Sequence, residues 1–414
     1  MVQLTDSGKK ALDDVVAKLA GEHKLPGFAI GATTADGEIY FNCAGNKVFG
    51  DAASAELNPD TVFWICSMTK LIAHIAALQL IEQGKLAVDA AVSDFFPQFA
   101  DTIVLDDITS PNPSFKPATV VMKVKHLLDF TSGLFYPPIR DYGLKVPYAY
   151  AGAQLKAQED PYSNFFSRIK GDLPGIPLSF EPGTNFMYGY GSDIIGFIVE
   201  KVTGKTLEEY LQENVFKPLG MKASFYLTQD LKEKLIALTL RTEDGQLHLW
   251  DNQPGTEIIE QDPSKLSLRL GGVGLYVSLR DYLKLLQHIL QILDGKAAKP
   301  ILKRETAESL FTGVLSGEST HTLDILVGTA FPGRHCQWSS GVAVAMDDWP
   351  KGRRKGSAFW AGWAGTQFFI DPATGVAAVF GVQIVTLVSG TDDPESLKGI
   401  TAFEEALYSG LDGI

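Results

Sequence analysis

The sequence predicts an α/β (α+β) fold in which one β-sheet is assembled from the two ends of the chain. Strand patterns occur within about residues 1–60 and 330–414, and helical spacing of apolar residues dominates between about 61 and 329. Strands at both ends with helices between them suit a sheet covered by helices, with a helical region inserted. The 414 residues, of which 45% are hydrophobic, can bury a large core. We expect one structural unit over 1–414.

A helix and a hairpin are the first predicted elements. Leucines and valines recur with helical spacing over residues 5–19. The apolar runs 27–34 and 38–44 flank Asp36-Gly37, a dipeptide typical of tight turns between strands. These two runs therefore predict the first strands of the sheet.

A long apolar helix is predicted to begin at about Ser67 and to end at Gly84. Lys70 would lie one turn beyond Ser67 on the same face, so its ammonium could sit beside the hydroxyl. An adjacent lysine can activate a serine hydroxyl, and a helix N-terminus adds positive potential where an oxyanion would form. The S-x-x-K pattern is short and also begins at Ser7 and Ser167. A plain N-cap role is therefore the alternative for Ser67.

The middle of the chain predicts helices separated by polar excursions. The ranges 101–123 and 240–268 are rich in turn-forming residues and are predicted to be surface excursions. Helical patterns cover 124–130, 192–202, 207–216 and 276–293. The segment from Phe135 to Pro182 is rich in tyrosine, phenylalanine and proline, and long aromatic loops are often functional. An irregular surface wrap held by its aromatic rings is the alternative.

The last hundred residues return to strand patterns. Strands are predicted at 342–346, 367–370 and 376–384, followed by a helix over 394–408. We expect these strands to join the hairpin near the other end of the chain in one sheet.

The composition excludes several classes of function. The net charge is −13 and the longest basic run is Arg353-Arg354-Lys355, which argues against nucleic acid and anionic membrane as partners. Three scattered cysteines, Cys43, Cys66 and Cys336, are expected to be buried thiols. Neither a secretory signal nor an apolar run of about 20 residues is visible, so we expect a soluble, cytoplasmic protein.

Other catalytic motifs are missing from the sequence. There is no G-x-S-x-G elbow, phosphate loop, dinucleotide fingerprint or H-E-x-x-H motif. His74 lies one turn beyond Lys70, but a satisfied core histidine is the favoured interpretation. We expect no cofactor and no metal.

Two further stretches could serve Ser67. A tyrosine such as Tyr188, in the stretch Tyr188-Gly189-Tyr190 on the chain's approach to an apolar helix, could act as general base and general acid if it lay beside Lys70. The stretch Trp360 to Gly365 places small residues between two tryptophans, where a backbone N–H could complete an oxyanion hole. Taken alone, each stretch is equally typical of packed aromatic side chains.

Together, these stretches resemble the serine β-lactamase and penicillin-binding-protein superfamily, specifically its class C-like esterase and transesterase branch. Further landmarks are Thr131-Ser132-Gly133-Leu134, Glu181-Pro182-Gly183, Pro218-Leu219-Gly220-Met221, Gly271-Gly272 and Ser278-x-x-Asp281-Tyr282. The stretch from Arg353 to Ser357 looks like fungal polyketide acyltransferases of the lovastatin type. The resemblance implies an antiparallel sheet with helices on both faces plus an all-helical region.

The resemblance also implies roles for individual residues. Ser67 would be the nucleophile, Lys70 its activator and Tyr188 the shared acid and base. The backbone amides of Ser67 and Trp363 would form the oxyanion hole. The predicted substrate-binding residues are Trp64, Tyr148, Tyr190, Trp360 and Gly362.

Departures from β-lactamases indicate the substrate. Where they carry Lys-Thr-Gly, this chain has Trp360-Ala361-Gly362, and Tyr190 stands where they have Asn. Both changes replace polar anchors by aromatic rings and favour an apolar acyl or polyketide substrate. Phe130 stands where relatives often have His.

The sequence therefore predicts a serine acyl-enzyme catalyst that acts on carboxylic esters or thioesters and either hydrolyses them or passes the acyl group to an alcohol. The expected partners are a small-molecule acyl donor, free or bound to a carrier protein, and an alcohol acceptor, and the enzyme is expected to be a monomer. A β-lactamase or D-amino-acid peptidase is one alternative. A non-catalytic binding protein on the same fold is the other.

Overall fold

A seven-stranded antiparallel sheet joins the two ends of the chain in the computed structural model. The structure describes residues 2–137, 150, 160–250, 264–328, 331, 333–386 and 393–413. In spatial order the sheet strands are Cys336–Trp338, Ala343–Ala345, Ala358–Gly362, Thr366–Asp371, Val376–Gly381, Phe28–Thr34 and Gly37–Ala44. Val376 pairs with Thr34, so the early hairpin completes a sheet built mainly from the last hundred residues.

Side-chain alternation gives this sheet two apolar faces. On the strand Thr366–Asp371, Phe368 and Ile370 pack into one core, and Phe369 between them packs into the other. The Phe369 face is covered by the helices Asp6–Gly21 and Pro394–Gly410. Because each face is covered by helices, every residue of that strand is buried.

The opposite face carries the larger core. The amphipathic helix Leu279–Leu293 packs directly on the sheet, and behind it lies the helix Thr69–Glu82, here called the central helix. Its first twelve residues, Thr69 to Leu80, are all buried, as expected for a helix that is apolar on almost every side. The helix Gly191–Thr203, here called the companion helix, packs beside it.

The remaining helices surround these two. The α-helices are Val124–Leu128, Pro161–Lys170, Leu207–Leu211, Lys217–Leu219, Gln229–Lys234, Arg304–Ser309 and Glu318–Gly328; a π-helical turn spans Gln212–Phe216, and 3₁₀ turns span Cys66–Met68, Val92–Asp94 and Pro97–Phe99. Each long helix predicted from sequence is present, and the predicted fold class is confirmed.

Four smaller sheets correct parts of the sequence interpretation. Two of them are strand pairs: Gln3–Leu4 with Leu411–Asp412, and Val62–Trp64 with Tyr276–Ser278. One three-stranded sheet contains Phe115–Pro117, Thr102–Leu105 and Ile176–Leu178. The other contains Ile384–Thr386, Thr239–Arg241 and Leu247–Leu249. The range 101–123, predicted as a surface excursion, therefore contains the buried strand Thr102–Leu105. The helix predicted over 276–293 begins only after the strand Tyr276–Ser278.

The cysteines and the helices bear on two other predictions. All three cysteines lie in the described ranges as free thiols, and Cys66 and Cys336 are buried, but Cys43 is only half-buried. Among the described residues, no helix is both long and apolar enough to span a bilayer.

Candidate active site

The candidate nucleophile lies on a tight turn between a buried strand and the central helix. The strand Val62–Trp64 pairs with Tyr276–Ser278, and the turn Cys66–Met68 then carries Ser67 into the helix. Cys66 has a backbone φ of 46°, in the left-handed region that residues other than glycine rarely adopt. Such backbone strain costs about 1–3 kcal/mol and clusters at functional sites, where it orients a neighbouring group.

Lys70 is the best-defined group of the site. Its Nζ donates to the Ser67 hydroxyl at 3.0 Å, to the Gly272 carbonyl oxygen at 2.8 Å and to the Tyr136 hydroxyl at 3.3 Å. These three acceptors match the three N–H donors of an ammonium. Lys70 is 0% exposed, and no carboxylate in the described part of the chain forms an ion pair with it. The structure thus brings Ser67 and Lys70 together as predicted.

Tyr188 approaches Lys70 by its ring. The Lys70 Nζ lies 4.6 Å from the centre of the Tyr188 ring, while the Tyr188 hydroxyl accepts a hydrogen bond from the Trp360 indole N–H at 2.8 Å. An indole N–H can only donate, so it would also stabilise negative charge on that phenolic oxygen. Phe130 stacks on Tyr188 with a centroid distance of 5.3 Å, which gives this phenylalanine a packing role.

Gly362 and Trp363 lie beside the nucleophile turn. Gly365 N–H donates to the Gly362 carbonyl and closes the hairpin between Ala358–Gly362 and Thr366–Asp371. A side chain at Gly362 would lie 2.4 Å from the Ile65 carbonyl oxygen, so only glycine permits this approach. The close packing carries the backbone of Trp363 to the segment that bears Ser67.

Two tryptophans extend this edge of the site. Trp363 is 42% exposed, and its ring meets Trp64 at a centroid distance of 6.0 Å and Trp250 at 6.1 Å. Trp64 is buried and donates its indole N–H to the Val273 carbonyl. Gln383 accepts from the Trp64 N–H and donates to the Trp64 carbonyl, each at 3.1 Å, and so holds the strand that leads into the Ser67 turn.

The other predicted substrate contacts differ in position. Tyr190 is 1% exposed and packs behind Tyr136 with a centroid distance of 4.8 Å, so it is one ring removed from Lys70. A direct substrate contact by Tyr190 stays a prediction. Tyr148 lies outside the described residues. Phe165 and Phe166, in the segment predicted as an aromatic loop, are core residues of the helix Pro161–Lys170.

Four residues that sequence reasoning did not assign complete the surroundings of Lys70. Gly272 supplies the carbonyl acceptor, and its N–H donates to Asp193 Oδ1 at 2.8 Å. Tyr150 donates its hydroxyl proton to Asp193 Oδ2, and the Tyr150 and Tyr136 hydroxyls lie 3.1 Å apart. Asp193 is fully buried, and burial raises its pKa to about 6 against the opposing effect of the Lys70 charge. A carboxylate within the apolar companion helix was the available signal.

His74 is buried in the core as interpreted from the sequence, but it is only partly satisfied, because its Nδ1 has no hydrogen-bond partner among the described residues. Its Nε2 lies 2.8 Å from the Ser192 hydroxyl, and its ring stacks on Phe130. Burial lowers its pKa to about 3, so the imidazole is neutral at physiological pH. His74 therefore adds no charge to the site.

The arrangement suits nucleophilic chemistry by side chains. A serine hydroxyl bonded to a buried lysine, with a tyrosine ring against that lysine, can form and resolve a covalent acyl intermediate. Within the described ranges, no group of three or more His, Cys, Asp or Glu residues is placed to hold a metal ion.

Comparisons with known proteins find a matching family and several relatives. A family model described as Beta-lactamase matches residues 12–400. The lovastatin esterase of Penicillium rubens is 30% identical over 390 residues, covering 89% of this chain and 91% of the relative. The ML-236A carboxylate methylbutanoyltransferase of Penicillium citrinum is 28% identical, covering 93% and 91%.

A solved structure shares the same architecture. Unliganded simvastatin synthase from Aspergillus terreus superposes with a TM-score of 0.78 at 26% identity, covering 96% of this chain and 97% of that structure.

Proposed function

Because this chain belongs to the beta-lactamase family, within which its relatives are esterases and acyltransferases, we propose that it forms an acyl-enzyme at Ser67 with Lys70 and Tyr188 as its catalytic partners. The enzyme acts by acyl transfer or ester hydrolysis. The acyl donor is a carboxylic ester or thioester, and the acyl group then passes to an alcohol or to water.

The observation that carries this proposal is the contact of Lys70 with Ser67. The 3.0 Å hydrogen bond joins a buried ammonium to the Ser67 hydroxyl, and the lysine forms no direct ion pair with a carboxylate in the described structure. In a site of low dielectric, that charge strongly favours an ionised oxygen close by. Lys70 thus promotes loss of the Ser67 proton.

Tyr188 is the proposed acid and base. Its ring packs on Lys70, and its oxygen accepts from the Trp360 indole. Acting as a phenolate, Tyr188 takes the Ser67 proton as Ser67 attacks the acyl carbonyl, and the resulting phenol then returns this proton to the leaving alkoxide or thiolate, which restores the phenolate. The second half of the reaction repeats these transfers with the incoming alcohol or water.

The proposed oxyanion hole consists of the backbone N–H groups of Ser67 and Trp363. Packing of Gly362 on Ile65 supports this pairing, because it brings the hairpin backbone to the nucleophile turn. Two preorganised donors at the developing oxyanion contribute several kcal/mol of transition-state stabilisation.

The proposed substrates are apolar. Indole and phenol rings lie on the segments that carry the proposed catalytic residues: Trp64 meets Trp363, and Trp360 packs against Tyr188. Such rings offer a large contact area and few polar groups that could orient water. The lovastatin esterase and the methylbutanoyltransferase named above support an ester of a polyketide-like alcohol as substrate class. The monomeric state and the cytoplasmic location stay predictions.

Intact-protein mass spectrometry with a short-chain activated ester tests the proposal. One acyl adduct on the wild-type protein and none on Ser67→Ala is the expected result. Addition of hydrophobic alcohols to the acyl-enzyme should yield new ester if transfer dominates and free acid if hydrolysis dominates.

Two results would count against the proposal. An adduct on another residue would remove Ser67 as nucleophile. Turnover of nitrocefin faster than of every ester in a matched panel would favour the β-lactamase alternative, for which the site has no polar anchor at Trp360-Ala361-Gly362.

A further inference from the structure

The surroundings of Lys70 form a closed ring of hydrogen bonds that passes through Asp193. Lys70 donates to the Gly272 carbonyl, and the N–H of the same residue donates to Asp193 Oδ1. On the other side Lys70 donates to the Tyr136 hydroxyl, which lies 3.1 Å from the Tyr150 hydroxyl, and Tyr150 donates to Asp193 Oδ2. We call the Tyr136 and Tyr150 hydroxyls the tyrosine bridge.

The carboxylate fixes the direction of every hydrogen bond in this bridge. An ionised carboxylate can only accept, so the Tyr150 proton points to Asp193. The Tyr150 oxygen is then left to accept from Tyr136, and the Tyr136 oxygen in turn is left to accept from Lys70. Each hydroxyl thus turns its lone pairs toward the ammonium.

We propose that Asp193 is a positioning residue of the catalytic centre, which holds Lys70 as an ammonium on Ser67 by setting the direction of the tyrosine bridge and anchoring Gly272. Asp193 acts through other groups and does not touch the nucleophile. This inference rests on the proposed role of Lys70. The Asp193 carboxylate supplies a negative charge that stabilises the Lys70 ammonium. It forms no direct ion pair with Lys70, which would draw the ammonium away from Ser67.

Few charged and titratable groups surround Asp193 among the residues that the structure describes. From the central helix, Lys70 faces it as a charge, and His74, neutral at physiological pH, faces the adjacent Ser192. The two tyrosines of the bridge face it from their own segments. The carboxyl is therefore the negative group that balances Lys70 in the described part of the site.

Asp193→Asn is the informative substitution because it keeps the shape of the side chain and removes the charge that sets the direction of the bridge. Gly272 N–H still requires an acceptor, so the amide oxygen stays on that side and the amide NH₂ faces Tyr150. The NH₂ then donates to Tyr150, so the tyrosine bridge loses the acceptor that set its direction. Lys70 also loses the negative charge at the far end of the bridge.

Glu200 provides a matched control on the same helix. It is also buried, and it accepts from the Tyr162 hydroxyl and from the Leu207 N–H, but its cation is Arg269. Glu200→Gln therefore removes the same kind of charge two turns away from the site. Its effect should be confined to stability.

The experiment measures the rate of acyl-enzyme formation between pH 5 and pH 9, per folded molecule, for the wild type and these variants. For Asp193→Asn we expect a loss on the order of 100-fold at the wild-type optimum. Its alkaline limb should move down by about 1 to 2 pH units, the size expected for one lost hydrogen bond to a charged group. Glu200→Gln should keep the wild-type profile.

Three results would overturn the inference. One is a wild-type profile for Asp193→Asn; another is a loss in Glu200→Gln as large as that in Asp193→Asn. If Asp193→Asn does not fold, Tyr150→Phe is the deciding variant, because it breaks the tyrosine bridge. It should move the alkaline limb of the pH profile in the same direction. An unchanged alkaline limb in Tyr150→Phe is the third result that would overturn the inference. Absence of any acyl adduct on the wild type would instead refute the proposed function.

Discussion

Two buried cations, Lys70 and Arg353, have opposite surroundings. Both are almost fully buried against aromatic rings: Lys70 lies 4.6 Å from the centre of Tyr188, and Arg353 lies 4.2 Å from the centre of Trp349. Arg353 donates to Glu404 through Nε at 2.9 Å and through a terminal guanidinium nitrogen at 2.6 Å. Among the described residues, the acceptors of Lys70 are hydroxyl and carbonyl oxygens.

The difference separates a cation that holds the fold from one that can do chemistry. A guanidinium in a two-pronged bond with a carboxylate keeps its proton and its place. It ties the loop after the strand Ala343–Ala345 to the helix Pro394–Gly410. An ammonium among neutral oxygen atoms keeps its charge available to a neighbouring nucleophile. Burial of a cation therefore does not by itself indicate function; the nature of its partners does.

The largest expected effect comes from removal of each charge in turn. Lys70→Met should slow acyl-enzyme formation by about 10²- to 10³-fold, the range for loss of one group that stabilises charge in a transition state. Arg353→Met should leave the rate per folded molecule unchanged and lower the free energy of unfolding by about 3–5 kcal/mol, because Glu404 stays buried without its cation. Rapid-quench mass spectrometry and urea unfolding measure the two quantities.

Arg353→Lys is the control for this pair of variants. It keeps the charge but loses the two-pronged geometry, so its loss of stability should be smaller than that of Arg353→Met. The comparison fails if Arg353→Met slows acylation as much as Lys70→Met does.

The second effect concerns the free energy of unfolding, whose dependence on pH should have opposite signs for Asp193 near Lys70 and for Glu404 near Arg353. Burial raises the pKa of Asp193 to about 6, above its unfolded value near 3.9. The free energy of unfolding of the wild type therefore falls as the pH rises from about 4 to 6, because the unfolded state loses this proton more readily than the folded state. Asp193→Asn should gain stability relative to the wild type over that window, by up to about 3 kcal/mol.

Glu404 should behave in the reverse way. Although burial opposes it, Arg353 holds the pKa of Glu404 below its usual value, so its stabilisation is full above about pH 4.3 and is lost as the pH falls through the lower folded value. Glu404→Gln should therefore lose stability relative to the wild type as the pH rises to about 4.3. Unfolding free energies measured at pH 3 to 7 test both signs; equal signs would contradict the assignment.

The smallest effect compares one tryptophan from each region. Trp360→Phe removes the N–H donor to the Tyr188 oxygen and keeps a ring, so acylation should slow by about 3- to 10-fold, as for one modest hydrogen bond. Trp349→Phe thins the packing over Arg353, but its Nε1 has no partner among the described residues. It should lower stability by about 1 kcal/mol and leave the rate unchanged. Loss of rate in both variants would argue for a general effect of packing.

Local spacing explains which parts of the site could be predicted. Ser67 and Lys70 lie within one turn at the start of an apolar helix, so their contact follows from helix geometry alone. The contact of Trp360 with Tyr188 depends on the meeting of two distant segments; the resemblance assigned both residues to the site but did not predict their hydrogen bond.

Asp193 shows why the remainder was missed. Its role depends on Gly272 and Tyr150, and no pattern in the sequence links these three positions. The same limit applies to the fold. The run Ile103-Val104-Leu105 is short and flanked by polar residues, so it was predicted as part of an excursion, although two partner strands bury it.

The hydrogen bonds that hold the segment before Ser67 can form only after the last part of the chain has been synthesised. The Trp64 N–H and the Gln383 side chain that accepts from it are 319 residues apart, and Ile65 and Thr366, which are also hydrogen-bonded, are 301 residues apart. At translation rates of about 5–20 residues per second, the ribosome needs roughly 15–60 s to deliver the later residues after the earlier ones. During that time the nascent chain contains Ser67 and Lys70 but lacks the hairpin that carries Trp363. An acylation probe applied to nascent chains would therefore report arrival of the last sheet strands.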